Sequence, residues 1–171
     1  MKGPTTIVGP LDNIVLPPRS MSTHVEHEAE LAIVISKSAR FVNAADAFDY
    51  ILGYTCANDV SARDLQRSDP QLTRGKGFDT FCPVGPWIET DIDPGNVTVE
   101  TRLNGEVKQK GNTADMAFSV AFLIRYISEI MTLYPGDLIA TGTPAGVSRM
   151  KSGDKVEVEV SGIGTLVNRV S

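Results

Sequence analysis

Glu28 and Glu30 stand at the head of an apolar run, Ala29-Glu30-Leu31-Ala32-Ile33-Val34-Ile35. Side chains two apart in a strand point to the same face. The two carboxylates therefore share one face, while Ala29, Leu31, Ile33 and Ile35 share the other, which reads as core. Two like charges ~6–7 Å apart at the mouth of a buried strand repel and lose hydration unless a cation lies between them, and a metal ion is the simplest such cation. The competing reading makes them the wet face of an edge strand. A third carboxylate bears on the choice, because Asp59 closes Tyr54-Thr55-Cys56-Ala57-Asn58-Asp59-Val60, a short and mostly apolar segment that reads as a second buried strand. Two successive core strands can bring Glu28, Glu30 and Asp59 together. An all-oxygen set selects Mg²⁺ or Mn²⁺, with Ca²⁺ also compatible, over zinc. Three protein ligands in an octahedral shell leave about three positions for water or a chelating substrate.

Cations and an amide lie close to these positions in sequence. Ser61-Ala62-Arg63-Asp64 has the form of a capping box, so a short helix through about Arg67 puts Arg63 and Gln66 on one face near Asp59. With Lys76 they suit a substrate bearing a carboxylate beside a keto oxygen. A metal then acts as a Lewis acid on the keto oxygen as a neighbouring bond breaks, and the product of that step is an enolate. Taken singly, each residue has a plainer reading: Arg63 with Asp64 as an exposed helix surface, Lys76 as a solvated loop lysine, Thr143 as a shaper of the turn at Pro144.

The elements that must position these groups follow from the pattern. Residues 1–20, with Gly3, Pro4, Gly9, Pro10, Pro17 and Pro18, form an irregular opening segment with one brief strand at Ile14-Val15-Leu16. Asn43-Ala44-Ala45-Asp46 predicts a capped helix that carries Ala47 to Leu52 and ends at Gly53. Residues 68–87 read as a long ordered connection holding Lys76-Gly77-Phe78-Asp79-Thr80-Phe81. Alternation over Val97 to Leu103, followed by Asn104-Gly105, predicts a hairpin. Ser119 to Met131 is apolar around most of a helical wheel and predicts a largely buried helix. Pro135-Gly136-Asp137 turns the chain into Leu138-Ile139-Ala140-Thr141, and Gly142 to Gly146 form a loop at that strand's end. Val156, Val158 and Val160 pair with Leu166 and Val170 across Gly162-Ile163-Gly164. Strands dominate, which implies an α+β, β-rich fold, a mixed β-sandwich or rolled sheet with a few short helices.

At 171 residues, 42% hydrophobic and 22% charged, the chain fits one domain spanning 1–171, and no stretch approaches the ~20 apolar residues of a membrane span. A net charge of −5 argues against nucleic acid or an anionic membrane as the main partner, since both require clustered Lys and Arg. Cys56 and Cys82 lack zinc or redox spacing and read as buried free thiols of a reducing cytosol. Met1-Lys2-Gly3-Pro4 has no apolar signal core, so a cytoplasmic location is expected and Asn96-Val97-Thr98 is a chance sequon.

A set of ordered motifs spans essentially the whole chain. Glu28-Ala29-Glu30-Leu31, Gly53 to Asp64, Lys76 to Phe81, Gly85-Pro86-Trp87, Asn104-Gly105-Glu106, Pro135-Gly136-Asp137 and Thr141 to Gly146 together resemble the catalytic domain of the fumarylacetoacetate hydrolase family. The resemblance implies a β-rich roll that works as a homodimer on a small 2-oxo or 2,4-dioxo acid. It implies Glu28, Glu30 and Asp59 as ligands for Mg²⁺ or Mn²⁺, Lys76 beside the reacting carbonyl, and Arg63, Gln66 and Thr143 as substrate contacts. Hydrolysis of acylpyruvates is the first expected activity. Decarboxylation of oxaloacetate-like acids and isomerisation of 2-hydroxyhepta-2,4-diene-1,7-dioate stand beside it.

Family members also carry an upstream lid segment with a histidine and a glutamate that activate water, and the chain as given is expected to start downstream of it. A base must then be His24, His27, Glu26, a residue of another chain, or missing. Of the two histidines, His27 points to the core face and His24 reads as exposed. A non-catalytic module that binds metal and 2-oxo acids is the rival reading from another class.

Overall fold

Alternating and continuous apolar runs both become strands in the computed structural model, which describes residues 1–171. In chain order these are β1 (Ile7–Val8), β2 (Asn13–Ile14), β3 (Val25–Glu26), β4 (Ala29–Ile35), β5 (Ile51–Asn58) and β6 (Ser61–Ala62). Two short helices follow, α1 (Arg63–Ser68) and α2 (Thr73–Lys76), then β7 (Cys82–Glu89), β8 (Thr98–Leu103) and β9 (Glu106–Asn112). Helix α3 (Val120–Ile130) precedes β10 (Leu138–Ala140), β11 (Lys155–Val160) and β12 (Gly164–Val170). One five-stranded sheet has the order β1-β7-β5-β4-β10 and the other β2-β12-β11-β8-β9, with β3 and β6 forming a small ladder of their own. The strand-rich α+β class is as expected. The opening segment contributes a strand to each sheet, β1 parallel to β7 and β2 parallel to β12.

The main core joins both sheets. Leu31, Ile33 and Ile35 of β4 pack with Val99 of β8, Val158 and Val160 of β11, Leu166 of β12 and Ile124 of α3. A second cluster, with Ile14, Val25, Val60, Phe81 and Met150, seals the end where β3 and β6 lie. The Asn104-Gly105 turn takes positive φ at both residues, 54° and 83°, the geometry whose twist matches a hairpin. No helix is long and apolar enough to cross a membrane.

Several local expectations are corrected. Strand β4 is no wet edge, because it lies between β5 and β10 and all seven of its residues are buried. The helix expected from Ala44 to Leu52 is a 3₁₀ segment, Ala44–Tyr50, without a side-chain cap from Asn43. Ile51, Leu52 and Gly53 belong to β5, where a side chain at Gly53 would stand 2.5 Å from Glu89 O of the neighbouring strand. Ser61 does not cap α1, because strand pairing with Glu26 takes its backbone and its hydroxyl donates to Asp59 O at 2.9 Å. The 68–87 connection contains α2 and most of β7. Helix α3 is capped by Ser119 but buries only Val120, Ile124 and Ser128. Tyr126 and Ile130 are exposed, and Phe118, Phe122 and Tyr126 stack along its outer side. Both cysteines are free, Cys56 buried and Cys82 half-buried.

Because Ile33 is wholly buried at the centre of the main core, Ile33→Ala should destabilise the fold by ~2–5 kcal/mol in urea unfolding.

Candidate metal centre

Backbone register brings the three carboxylates together. Ala29 pairs with Asn58 and Glu30 with Ala57 across β4 and β5. Just beyond the ladder, Asp59 N–H donates to Glu28 O at 2.8 Å, and Glu28 N–H donates to the Asn58 side-chain oxygen at 2.9 Å. Asp59 is thereby pinned beside Glu28. One oxygen from each of Glu28, Glu30 and Asp59 lies within 4.8 Å of the others. Glu28 and Glu30 are 6% and 4% exposed, so water does little to screen them.

Three cations surround the group. Lys76, at the last position of α2, donates from Nζ to Glu28 Oε2 at 2.9 Å and to Asp59 Oδ2. Arg63 opens α1 and spreads its fork over three partners: Nη2 to Glu28 Oε1 at 2.5 Å, Nε to Glu26 Oε2 at 2.7 Å, and Nη1 to Gln66 Oε1. Gln66 thus reaches the site only through Arg63. The third cation, Lys2, is one that residue type and spacing do not point to. Its Nζ lies 2.9 Å from Asp59 Oδ1 and donates to the carbonyls of Val60, Lys76 and Phe81 at 2.9, 2.6 and 2.7 Å. Nothing in the irregular opening segment signals that role. Glu26 as the anchor of Arg63 was more accessible, since it precedes Glu28 on the same two-residue alternation.

These surroundings act unequally on the titrating groups. Glu30 has no cationic partner; its Oε2 accepts only from Gly142 N–H at 2.6 Å. Burial first, and then the Asp59 charge, push its carboxyl up to about 7 against that hydrogen bond. Burial draws the Lys76 ammonium down, but Asp59 and Glu28 outweigh it and leave Lys76 above an ordinary lysine. Lys2 is lowered, because burial outweighs its pairing with Asp59.

A divalent cation fits this arrangement. The donors are all oxygen and deeply placed, no cation contacts the Glu30 carboxylate, and one oxygen from each of the three carboxylates converges on the same space. Mg²⁺ and Mn²⁺ match such a donor set.

Thr143 approaches from the β10 side. Its hydroxyl donates to Ala29 O at 2.8 Å and accepts from Gln109 Nε2 at 2.8 Å. His27 is fully buried as expected, hydrogen-bonded at both ring nitrogens to Gln109 Oε1 and Ser148 Oγ at 2.8 Å each, and burial lowers its pKa. His24 is half-exposed, its Nε2 bonded to Glu26 Oε1 at 2.7 Å.

The fold and site together define a strand-rich α+β domain that gathers three carboxylates under a ring of cations where two adjacent core strands end. The family described as fumarylacetoacetate (FAA) hydrolase C-terminal matches residues 1–171, and the chain belongs to that family. It is similar to a mitochondrial oxaloacetate tautomerase of Bos taurus, 46% identical over 97% of this chain and 56% of that protein. It also resembles the crystal structure of 2-hydroxyhepta-2,4-diene-1,7-dioate isomerase from Mycobacterium marinum, with a TM-score of 0.94, 55% identity, and coverage of 97% of this chain and 65% of that one. A third likeness is to maleylpyruvate hydrolase from Sphingobium sp. SYK-6, solved with manganese (II) and pyruvate, with a TM-score of 0.90, 38% identity, and coverage of 99% and 62%. The chain thus spans less than two thirds of the length of these three relatives.

The raised Glu30 carboxyl has a measurable sign. A group whose folded pKa exceeds its unfolded value contributes stability that is present below about pH 4.5 and lost as pH rises through about 7. In chelator, Glu30→Gln should therefore raise the melting temperature at pH 8 and change it little at pH 5, as read by thermal denaturation.

Proposed function

We propose that this chain is the metal-holding catalytic domain of an enzyme that enolises small 2-oxo acids. The carrying observation is the cluster of Glu28, Glu30 and Asp59 ringed by Lys76, Arg63 and Lys2. Glu28, Glu30 and Asp59 would hold Mg²⁺ or Mn²⁺, with Ca²⁺ compatible with the same oxygens. When bound, the ion supplies Lewis acidity toward a keto oxygen and favours an enolate. Lys76 uses two of its three N–H groups on Glu28 and Asp59, which leaves one for a substrate oxygen. It acts as an ammonium that stabilises negative charge. Arg63 has five N–H donors, of which Glu26, Glu28 and Gln66 take three, and the remaining two suit a substrate carboxylate. Gln66 holds the fork, and Thr143 faces the substrate from the β10 loop.

Carbon–carbon hydrolysis is the first activity that the motif resemblance implies. We rank a proton shift, tautomerisation or isomerisation, ahead of it. The likenesses favour the proton shift: the tautomerase and isomerase relatives are 46% and 55% identical to this chain, against 38% for maleylpyruvate hydrolase. The names of the tautomerase and isomerase relatives agree with that order. Hydrolysis of an acylpyruvate is the second reading, favoured by the likeness to maleylpyruvate hydrolase, and decarboxylation would draw on the same charge stabilisation. In this reading residues 1–171 are one domain, working as a homodimer.

Three assays test it: loss of enol absorbance of oxaloacetate, isomerisation of a 2-hydroxy-diene-dioate, and release of pyruvate from an acylpyruvate, each with EDTA or with added Mg²⁺ or Mn²⁺. The proton-shift rates should require the metal. A rate indifferent to chelator sinks the metal mechanism, and calorimetric binding of pyruvate without turnover in any assay makes the chain a non-catalytic binding module. Lys76→Met should lower kcat by ~10²–10³-fold while Mn²⁺ still binds by calorimetry.

A further inference from the structure

The Gln109 side chain is fully buried on β9, yet it uses both of its N–H donors, and its carbonyl oxygen is shared by three donors. Its Nε2 donates to Pro144 O at 2.7 Å and Thr143 Oγ1 at 2.8 Å. Its Oε1 accepts from His27 Nδ1 at 2.8 Å, Thr101 Oγ1 at 3.0 Å and Ala29 N–H at 3.2 Å. Two backbone groups settle which end is which, because Pro144 O can only accept and Ala29 N–H can only donate. The rest follows. His27 must carry a proton on Nδ1, and as the neutral ring that burial favours it accepts from Ser148 Oγ at Nε2. Thr143 receives a hydrogen bond from Gln109, so its single hydroxyl proton is committed to Ala29 O.

One amide thus ties both residues flanking Glu28 to the loop that carries Thr143. The loop also lies hard against β9. A side chain at Gly111 would meet Pro144 Cβ at 2.7 Å, and one at Gly146, which has φ +105°, would fall inside van der Waals contact with Lys108 O.

We propose that Gln109 is a positioning residue: it holds the Thr143–Pro144 loop at a set distance from the Glu28–Glu30 strand and aims the Thr143 hydroxyl proton at Ala29 O. Thr143 then presents its remaining lone pair, not its proton, to the substrate side. It can accept from a protonated oxygen such as an enol hydroxyl and does not donate to a carboxylate, a role left to Arg63 and Lys76. The proposal rests on the reading of this cluster as a 2-oxo acid site.

The test uses the full chain at pH 8, with Mn²⁺ alone and then glycolate, a 2-hydroxy acid whose hydroxyl can donate to the Thr143 oxygen, as calorimetric probes. Gln109→Glu preserves shape and acceptors but removes the donor to Pro144 and Thr143. It should weaken glycolate binding to the Mn²⁺-loaded protein by ~5–10-fold, the cost of about one hydrogen bond, with Mn²⁺ affinity changed less than about 3-fold. In a Thr143→Val background the same change should add little, since residues acting through one another are not additive. Hydrogen exchange at residues 141–147, measured without any ligand, should quicken.

Unchanged glycolate affinity overturns the proposal. So does a Mn²⁺ affinity that falls in step with it, or a full independent effect in the double variant. If the unaltered chain binds neither probe, the metal reading fails by itself, and the exchange measurement decides Gln109 alone: unchanged exchange at 141–147 overturns the assignment. Should Gln109→Glu not fold, Gln109→Asn, which keeps the amide but is one methylene shorter, serves the same comparisons.

Discussion

Like charge held out of water is the constraint on which this structure depends. At an effective dielectric of about 20, two unit charges at the 4.8 Å limit of the cluster repel by ~3 kcal/mol. The strands carrying them can lie side by side only if counter-charges are delivered to the same place. The chain brings Lys2 from its opening segment, Arg63 from the start of α1 and Lys76 from the end of α2. Three segments with no common sheet are thereby anchored to one strand end. Glu30 receives no cation, and the cost emerges as a carboxyl that keeps its proton to near neutrality.

The scaffold that bears this load is the β4–β5 ladder. Its lower half is a double-sided core strand, with Leu31, Ile33 and Ile35 facing the second sheet. Where the ladder ends, the Asn58 side chain and the Asp59 backbone continue the pairing onto Glu28. The carboxylates stand on rigid backbone while the groups opposite them come from loops and helix ends. Gln109 links the two, so the position of the β10 loop is set by the second sheet as well as the first.

Much of this was legible in residue order. The Glu28–Glu30 alternation, Asp59 at the end of an apolar segment, the Asn104-Gly105 hairpin and the helix beginning after Ser119 all rest on local periodicity and turn chemistry, which need no knowledge of distant partners. The failures have one physical source. Local capping patterns predict helix starts at Asn43 and Ser61, but tertiary pairing takes Ile51 to Gly53 and Ser61 into strands instead. Helix α3 is apolar around its wheel, but only one face meets the core, so composition overstated its burial.

Side-chain types and spacing by themselves pick out the acidic trio that the fold gathers, and they motivate the proposals of a hard cation and a 2-oxo acid. Only the tertiary structure decided that Lys2 and Glu26 belong to the site, that Gln66 touches it through Arg63, and that Thr143 has its proton already spoken for. The placements of Lys2, Glu26 and the Thr143 proton depend on contacts between residues 74, 37 and 114 positions apart. No periodicity encodes such contacts, because they exist only once both sheets have closed on one another.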